Sequence, residues 1–307
     1  MQIAVAATPG VAIPTLDWLI SSKHELDFVI SRPDRPAGRG KKVRASEVSN
    51  WADSHGVEIF KPLGLGDMAT VAKPLNSVEL LITIGFGMIL PPNLYRIPRY
   101  GAINLHFSLL PAWRGAAPVQ RAIEAGDSLG GVSVFALDEG MDTGPIYVQH
   151  SSPFSLIQSA GEILAGLSQL GARAVAETLE LIVAAVEPIP QSTKGASRAR
   201  KVSKVDAHID WTRSAISIER QIRAFTPEPG AWSSWRENQI QISKARVVED
   251  ALRLTYGEIL VRQGSIFVGC GSGGALEILE ITPAGKKLMT TQSWVNGARL
   301  GIGEKFA

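Results

Sequence analysis

The first half of the chain alternates short apolar runs with segments whose apolar residues recur every three or four positions. Gln2 to Ala7, Leu26 to Ser31, Glu79 to Ile84, Ala102 to His106 and Val132 to Leu137 have the length and composition of buried strands. Ile13 to Ser22 reads as a helix, with Pro14 in its first turn, where a missing N–H costs nothing. Ala116 to Ala125 reads as another helix. Such alternation predicts an α/β domain, an open, mostly parallel sheet with helices on both faces. Ser159 to Ala185 carries Ile163, Leu167, Leu170 and Ala174 at helical spacing and predicts a long helix that ends this domain near residue 186.

The pattern then breaks. Residues 187–205 hold two prolines, four serines or threonines and the cations Lys194, Arg198, Arg200, Lys201 and Lys204, the composition of a basic linker. Residues 206–307 form a second domain of different character. Ile209-Asp210-Trp211-Thr212 leads to a short helix ending near Phe225, and a Pro-Glu-Pro-Gly turn follows. Gln239 to Glu249, Glu258 to Val261, Ser265 to Gly269 and Leu276 to Ile281 are closely spaced strands separated by glycine turns, which predicts a small β-barrel.

Composition narrows the chemistry. The chain has 307 residues, 45% of them apolar, and a net charge of only +2, so no polyanion partner follows from overall charge. Its single cysteine, Cys270, excludes an internal disulfide and a cysteine-rich zinc site. The five histidines are scattered, with no His-Glu-x-x-His spacing, and no metal site is expected. No glycine fingerprint follows the first strand and no Walker A loop is present, which argues against nicotinamide and P-loop chemistry. Asp142-Thr143-Gly144 occurs once, whereas an aspartic protease needs two such aspartates. A basic leader with an apolar core and an apolar run of membrane-spanning length are both lacking, so a cytoplasmic protein without membrane contact is expected.

Three segments carry candidate chemistry. Asn104 and His106 are two apart, so on a strand both side chains leave one face while Leu105 enters the core. With Asp142, in a loop punctuated by glycine and proline, they offer an amide donor, a proton carrier and a carboxylate, a set suited to acyl transfer. Taken singly, each is equally compatible with a structural role. Gly85-Phe86-Gly87-Met88-Ile89-Leu90-Pro91-Pro92 lies beyond a strand, where its backbone can edge a flat heterocycle or simply connect strand to helix. Arg32 to Arg44 holds six cations against one acid, with two prolines and two glycines. That content predicts a basic loop, either solvated or set against a phosphate backbone.

Asn104-Leu-His106-Phe-Ser108-Leu-Leu-Pro111, Trp113-Arg-Gly-Ala-Ala-Pro118 and Met141-Asp142-Thr-Gly144 resemble the 10-formyltetrahydrofolate-dependent formyltransferase family. Arg32-Pro-Asp-Arg-Pro-Ala-Gly-Arg-Gly-Lys-Lys42, Ile209-Asp-Trp211, Arg223-Ala-Phe-Thr-Pro227 and Pro283-Ala-Gly-Lys-Lys287 are most similar to its members that act on methionyl initiator tRNA. The match runs nearly end to end. It implies a Rossmann-like formyltransferase domain followed by an OB-like tRNA-binding barrel, a monomer, and transfer of a formyl group from 10-formyltetrahydrofolate to the α-amino group of methionyl-tRNA for translation initiation. It further implies that Asn104 binds the formyl oxygen as it becomes an oxyanion. His106 would stabilise the tetrahedral intermediate and pass a proton to the leaving nitrogen, and Asp142 would orient His106 and help deprotonate the amine. Phe86, Gly87, Met88, Ile89, Leu90 and Asp138 would border the pteridine, and Ser108, Leu109, Leu110 and Pro111 would belong to the same cosubstrate site. Arg35, Arg39, Lys41, Lys42, Arg200, Lys201, Lys204, Lys286 and Lys287 would contact tRNA, Arg39 foremost. The chain departs from the family pattern at Ala7, at Gly10-Val11 (usually an acidic-aromatic pair), at Phe107 and at Arg198.

Overall fold

The computed structural model describes residues 1–37, 42–248 and 252–307. They fall into two compact units. The first comprises Met1–Pro118, Leu129–Pro153 and Leu164–Arg200, and the second Val119–Ser128, Phe154–Ile163 and Lys201–Ala307.

In chain order the elements up to residue 106 are β1 (Gln2–Ala7), α1 (Ile13–Ser21), β2 (Glu25–Ile30), β3 (Arg35–Ala37), β4 (Lys42–Arg44), α2 (Glu47–His55), β5 (Glu58–Phe60), α3 (Ala69–Leu75), β6 (Leu80–Ile84), α4 (Pro92–Tyr95) and β7 (Ala102–His106). Then come β8 (Arg114–Gly115), α5 (Pro118–Ala125), β9 (Leu129–Ala136), β10 (Ile146–Pro153), α6 (Ala160–Val183) and β11 (Arg198–Ala199). Seven strands form one sheet in the order β10-β9-β7-β6-β1-β2-β5. The five from β7 to β5 are parallel, and β9 and β10 add an antiparallel edge. The mostly parallel α/β sheet expected from the sequence is therefore present.

Ile3 to Ala7 of β1 are all fully buried, because a central parallel strand is covered on both faces and reads as an unbroken apolar run. One face carries Ala4, Ala6, Phe28, Ile30 and Leu81, packed under Phe86, Leu90, Leu94 and Tyr95. On the other face Leu105 of β7 approaches α6 so closely that a Cβ at Gly171 would meet it at 2.6 Å. Two elements left little pattern in the sequence. Helix α2 has few apolar positions and is fixed by Ser46, whose hydroxyl accepts from the Ser49 N–H at 3.0 Å. Strand β5 has only three residues.

The basic segment is not a plain loop, since β3 pairs antiparallel with β4 on either side of residues 38–41. The unusual Gly10 also has a local explanation. Its N–H donates to Glu47 Oε2 at 2.6 Å, and a Cβ there would lie 2.8 Å from that carboxylate. Glu47 of α2 thus supplies, from another element, the acid that position 10 lacks.

The second unit holds α7 (Ala215–Phe225), β12 (Trp232–Trp235), β13 (Asn238–Val248), β14 (Ile259–Arg262), β15 (Ser265–Gly269), β16 (Ala275–Pro283), β17 (Met289–Thr290) and α8 (Thr291–Ala298). Its sheet runs β12-β13-β16-β15-β14, with β17 on β16. The last residues join the two edges. Ile259 N donates to Glu304 O at 2.8 Å and Phe306 N to Gly257 O at 2.9 Å. Ser234 and Ala307 exchange two bonds of 2.9 Å. The antiparallel sheet is so closed into the small barrel that the strand spacing predicts. Its core contains Trp211, Ile222, Ile242, Ile278, Trp294 and Phe306, with Phe306 stacked on Trp211 at 5.7 Å. Cys270 is buried there, and burial pushes its thiol up to about 12. Arg121 of α5 belongs to this unit through an ion pair with Asp206 at 3.2 Å, and Arg223 Nη1 donates to Gln158 O at 3.2 Å.

Candidate active site

Asn104, His106 and Asp142 come together in the first unit. Asn104 and His106 leave β7 on one face, as a two-residue spacing on a strand requires. The amide of Asn104 is oriented from the neighbouring strand. Thr83 Oγ1 of β6 donates to Asn104 Oδ1 at 2.9 Å and to Ile103 O at 3.2 Å. With its oxygen occupied, Asn104 turns its Nδ2 hydrogens away from Thr83, free to meet an anionic oxygen.

His106 is buried beneath Trp113, and its Nε2 lies 2.9 Å from Trp113 O. A carbonyl oxygen only accepts, so Nε2 carries the hydrogen and Nδ1 of the neutral ring keeps its lone pair. Nδ1 faces Asp142 Oδ2 at 3.8 Å. That separation exceeds a hydrogen bond, yet a proton arriving on Nδ1 would be received beside a carboxylate. Burial pushes the imidazole below its ordinary value, and Asp142 and the Trp113 carbonyl offset this only in part. His106 is therefore neutral at pH 7, the form able to accept a proton.

Asp142 is positioned by groups distant in sequence. Gly115 N–H donates to its Oδ2 at 2.7 Å. Gln191 Nε2 donates to Asp142 O at 2.9 Å and to Gly144 O at 2.8 Å, while Arg114 Nη2 holds Gln191 Oε1 at 2.6 Å. Trp113 (φ 62°) and Asp142 (φ 55°) both sit in the left-handed region, strain of about 1–3 kcal/mol each that surrounding contacts sustain. The loop turns back on β9 so tightly that a Cβ at Gly144 would stand 1.8 Å from Ala136 O. Asp138 accepts from Thr143 Oγ1 at 2.8 Å and from Gly140 N at 3.1 Å, which braces the same loop.

Beside this loop lies an open depression lined by Tyr95, Arg96, Ala102, Leu137, Asp138 and Glu139. Phe86 and Leu90 are buried next to Leu137, Met88 packs on the same cluster, and Ile89 is exposed. Gly87 has φ +73°, a conformation that favours glycine. The segment 108–111 is held from within. Ser108 Oγ donates to Ala112 O at 2.6 Å, Leu110 N to Ser133 Oγ at 3.1 Å, and Gln149 Nε2 to Leu110 O at 2.8 Å. Pro111 O accepts from Ser197 N at 3.3 Å. Leu109 packs against Gly131, where an added Cβ would come within 2.7 Å of its side chain. Phe107 is buried.

Of the cations expected to meet nucleic acid, Arg35 and Arg200 belong to the first unit and Lys201, Lys204, Lys286 and Lys287 to the second. Arg35, Arg200, Lys201, Lys204, Lys286 and Lys287 are exposed. Arg39 and Lys41 lie outside the described residues, and only the backbone of Lys42 is described. Thr83, Gly115, Ser133, Gln149, Gln191 and Ser197 are not legible as site residues in the sequence. Thr83 reaches Asn104 because the register of β6 and β7 pairs the two positions.

The profile of the family described as "Formyl transferase" matches residues 1–179, and that described as "Formyl transferase, C-terminal domain" matches residues 201–299. The chain belongs to the formyl transferase family. Among its relatives, the methionyl-tRNA formyltransferase of Salinispora tropica is 38% identical over 310 residues and covers 100% of both chains. That of Rhodococcus erythropolis is 40% identical over 303 residues, 98% of each chain. Among solved structures, methionyl-tRNA formyltransferase from Clostridium thermocellum superposes with a TM-score of 0.58 at 18% identity, over 91% of this formyl transferase and 99% of that chain. HypX from Aquifex aeolicus, in complex with tetrahydrofolic acid, gives 0.67 at 17% identity, over 98% of this chain but 48% of its own. These two likenesses show the fold. Among the described residues, no helix is long and apolar enough to cross a membrane.

Proposed function

We propose that this formyl transferase moves the formyl group of 10-formyltetrahydrofolate to the α-amino group of methionyl initiator tRNA. The observation that carries the reading is the convergence of Asn104, His106 and Asp142 in a chain that matches methionyl-tRNA formyltransferases from end to end. In the reaction a C–N bond forms between the amine and the formyl carbon while the bond from that carbon to the folate nitrogen breaks. The amine gives up a proton and the folate nitrogen gains one.

The three residues divide the work. Asn104, its oxygen engaged by Thr83, donates Nδ2–H to the formyl oxygen as negative charge develops there. His106 holds a lone pair on Nδ1 and relays a proton between the entering amine and the departing nitrogen. Asp142, fixed by the Gly115 N–H, stabilises the imidazolium and assists removal of the amine proton. Phe86 to Leu90, Ser108 to Pro111 and Asp138 would hold the folate, and of these Asp138 lines the open depression beside Tyr95 and Leu137. The exposed cations Arg35, Arg200, Lys201, Lys204, Lys286 and Lys287, together with Arg39, Lys41 and Lys42, supply phosphate contacts, which position a nucleic acid without reading its sequence.

The test is direct. The protein is incubated with 10-formyltetrahydrofolate and methionyl-tRNA, and formylmethionine is measured. Asn104→Ala should lower kcat by about 100- to 1000-fold with tRNA affinity retained. Formylation of an amino sugar nucleotide but not of methionyl-tRNA would overturn the assignment of substrate.

A further inference from the structure

Arg32 lies two residues beyond β2, at the same end of the sheet as Thr8 and Phe86. Its backbone N–H donates to Thr8 Oγ1 at 3.4 Å, and Thr8 Oγ1 donates to Phe86 O at 3.1 Å, so the chain ends of β2, β1 and β6 are tied in a row. The side chain runs back along this row. Its Nη1 comes within 3.4 Å of the position that a Cβ on Gly87 would take. Arg32 Nε is buried and has no hydrogen-bond partner among the described residues. The nearest acid in sequence, Asp34, is taken by Lys61 at 2.9 Å, and Arg35 adds further positive charge. A half-buried guanidinium without a counter-charge is costly, and an anion entering the cleft would relieve that cost.

We infer that Arg32 binds the phosphodiester of the 3′-terminal nucleotide of the aminoacyl-tRNA and so sets the distance from that phosphate to the attacking amine. The inference rests on the reading of methionyl-tRNA as substrate. The spacing agrees with it. Gly87 is four residues past Thr83, which pairs with Asn104 on β7, so at about 3.3 Å per residue and about 4.8 Å between strands it stands no more than roughly 14 Å from Asn104. In an aminoacylated 3′ end, eight bonds separate the amine nitrogen from the phosphorus of the same nucleotide, a comparable reach. The fork of Arg32 also suits phosphate better than a point charge would.

The experiment compares wild type, Arg32→Gln and Arg32→Lys on three acceptors. These are methionyl-tRNA, cytidylyl-adenosine carrying a 3′-methionyl ester (one phosphate) and methionyl-adenosine (none). Arg32→Gln should raise KM for the first two by about 10- to 100-fold, with Arg32→Lys recovering part of the loss. Methionyl-adenosine should be used with the same kcat/KM by all three proteins. KM for 10-formyltetrahydrofolate should not move, and the salt slope of tRNA use should fall by about 0.7 in Arg32→Gln. A rise in KM for the folate would assign Arg32 to the folate carboxylates and overturn the proposal. An equal loss on methionyl-adenosine would show a merely structural role and overturn it too. If the wild type formylates no methionyl acceptor, it is the proposed function that fails.

Discussion

Replacing Thr83 by valine tests the site at its least visible point. The substitution keeps the shape and removes one hydroxyl, which is buried on β6 and bonds both Asn104 Oδ1 at 2.9 Å and Ile103 O at 3.2 Å. A neutral hydrogen bond of this kind contributes about 0.5–1.5 kcal/mol. If that energy holds the Asn104 amide with Nδ2 toward the formyl oxygen, its loss should lower kcat by roughly 2- to 13-fold, since about 1.4 kcal/mol is a factor of ten. KM for either substrate should change little, because the interaction is made as charge develops rather than on binding. Unfolding of the full chain should show a modest loss, on the order of 2–4 °C in Tm. The decisive assay is a double-mutant cycle with Asn104→Ala, read by single-turnover formylation. The Thr83→Val effect on rate should vanish once the amide is gone. If Thr83→Val costs the same rate in the Asn104→Ala background, the orientation argument is wrong and Thr83 acts through general stability.

Five further outcomes are expected. Burial holds His106 below its ordinary value of about 6.5, so the rate should stay flat down to that pH and fall only below it. Asp142→Asn, which removes the influence that raises His106, should move this limb to still lower pH, and a limb moving upward would refute the assignment. The same depression means that the unfolded chain takes up a proton before the folded one does, so His106 should contribute to a loss of stability as pH drops below about 6.5, measurable by denaturant titration. Gly144→Ala drives a Cβ to within 1.8 Å of Ala136 O; it should cost about 1–3 kcal/mol and displace Asp142, visible as lost activity in a still folded protein by circular dichroism. Phe306→Ala removes a ring stacked between Trp211 and Trp294 and should destabilise the second unit by about 3–5 kcal/mol in thermal unfolding, whereas an unchanged transition would contradict barrel closure by the chain's last residues.

The sequence by itself settled the elements with strong periodicity. Gln2–Ala7 and Ala102–His106 are strands with the predicted boundaries, because buried parallel strands and a two-residue polar spacing leave unambiguous patterns. It also presented Asn104, His106 and Asp142 as a set able to handle an oxyanion and a proton. Short elements escaped it. Strand β5, the β3–β4 pair and α8 are too brief or too polar for period to register. The tertiary structure decided everything that depends on pairing between distant residues. Thr83 faces Asn104 only because β6 and β7 are in register, and the segment with the composition of a spacer supplies Gln191 and Ser197 to grip Asp142 and Trp113. Arg32 looked like one cation among six. Its place beside Gly87, with no ion-pair partner among the described residues, follows from the order β2-β1-β6 in the sheet. Periodicity is local and records which face a residue takes; partners and counter-charges are set by which strands lie side by side, and that information appears only once the chain has folded.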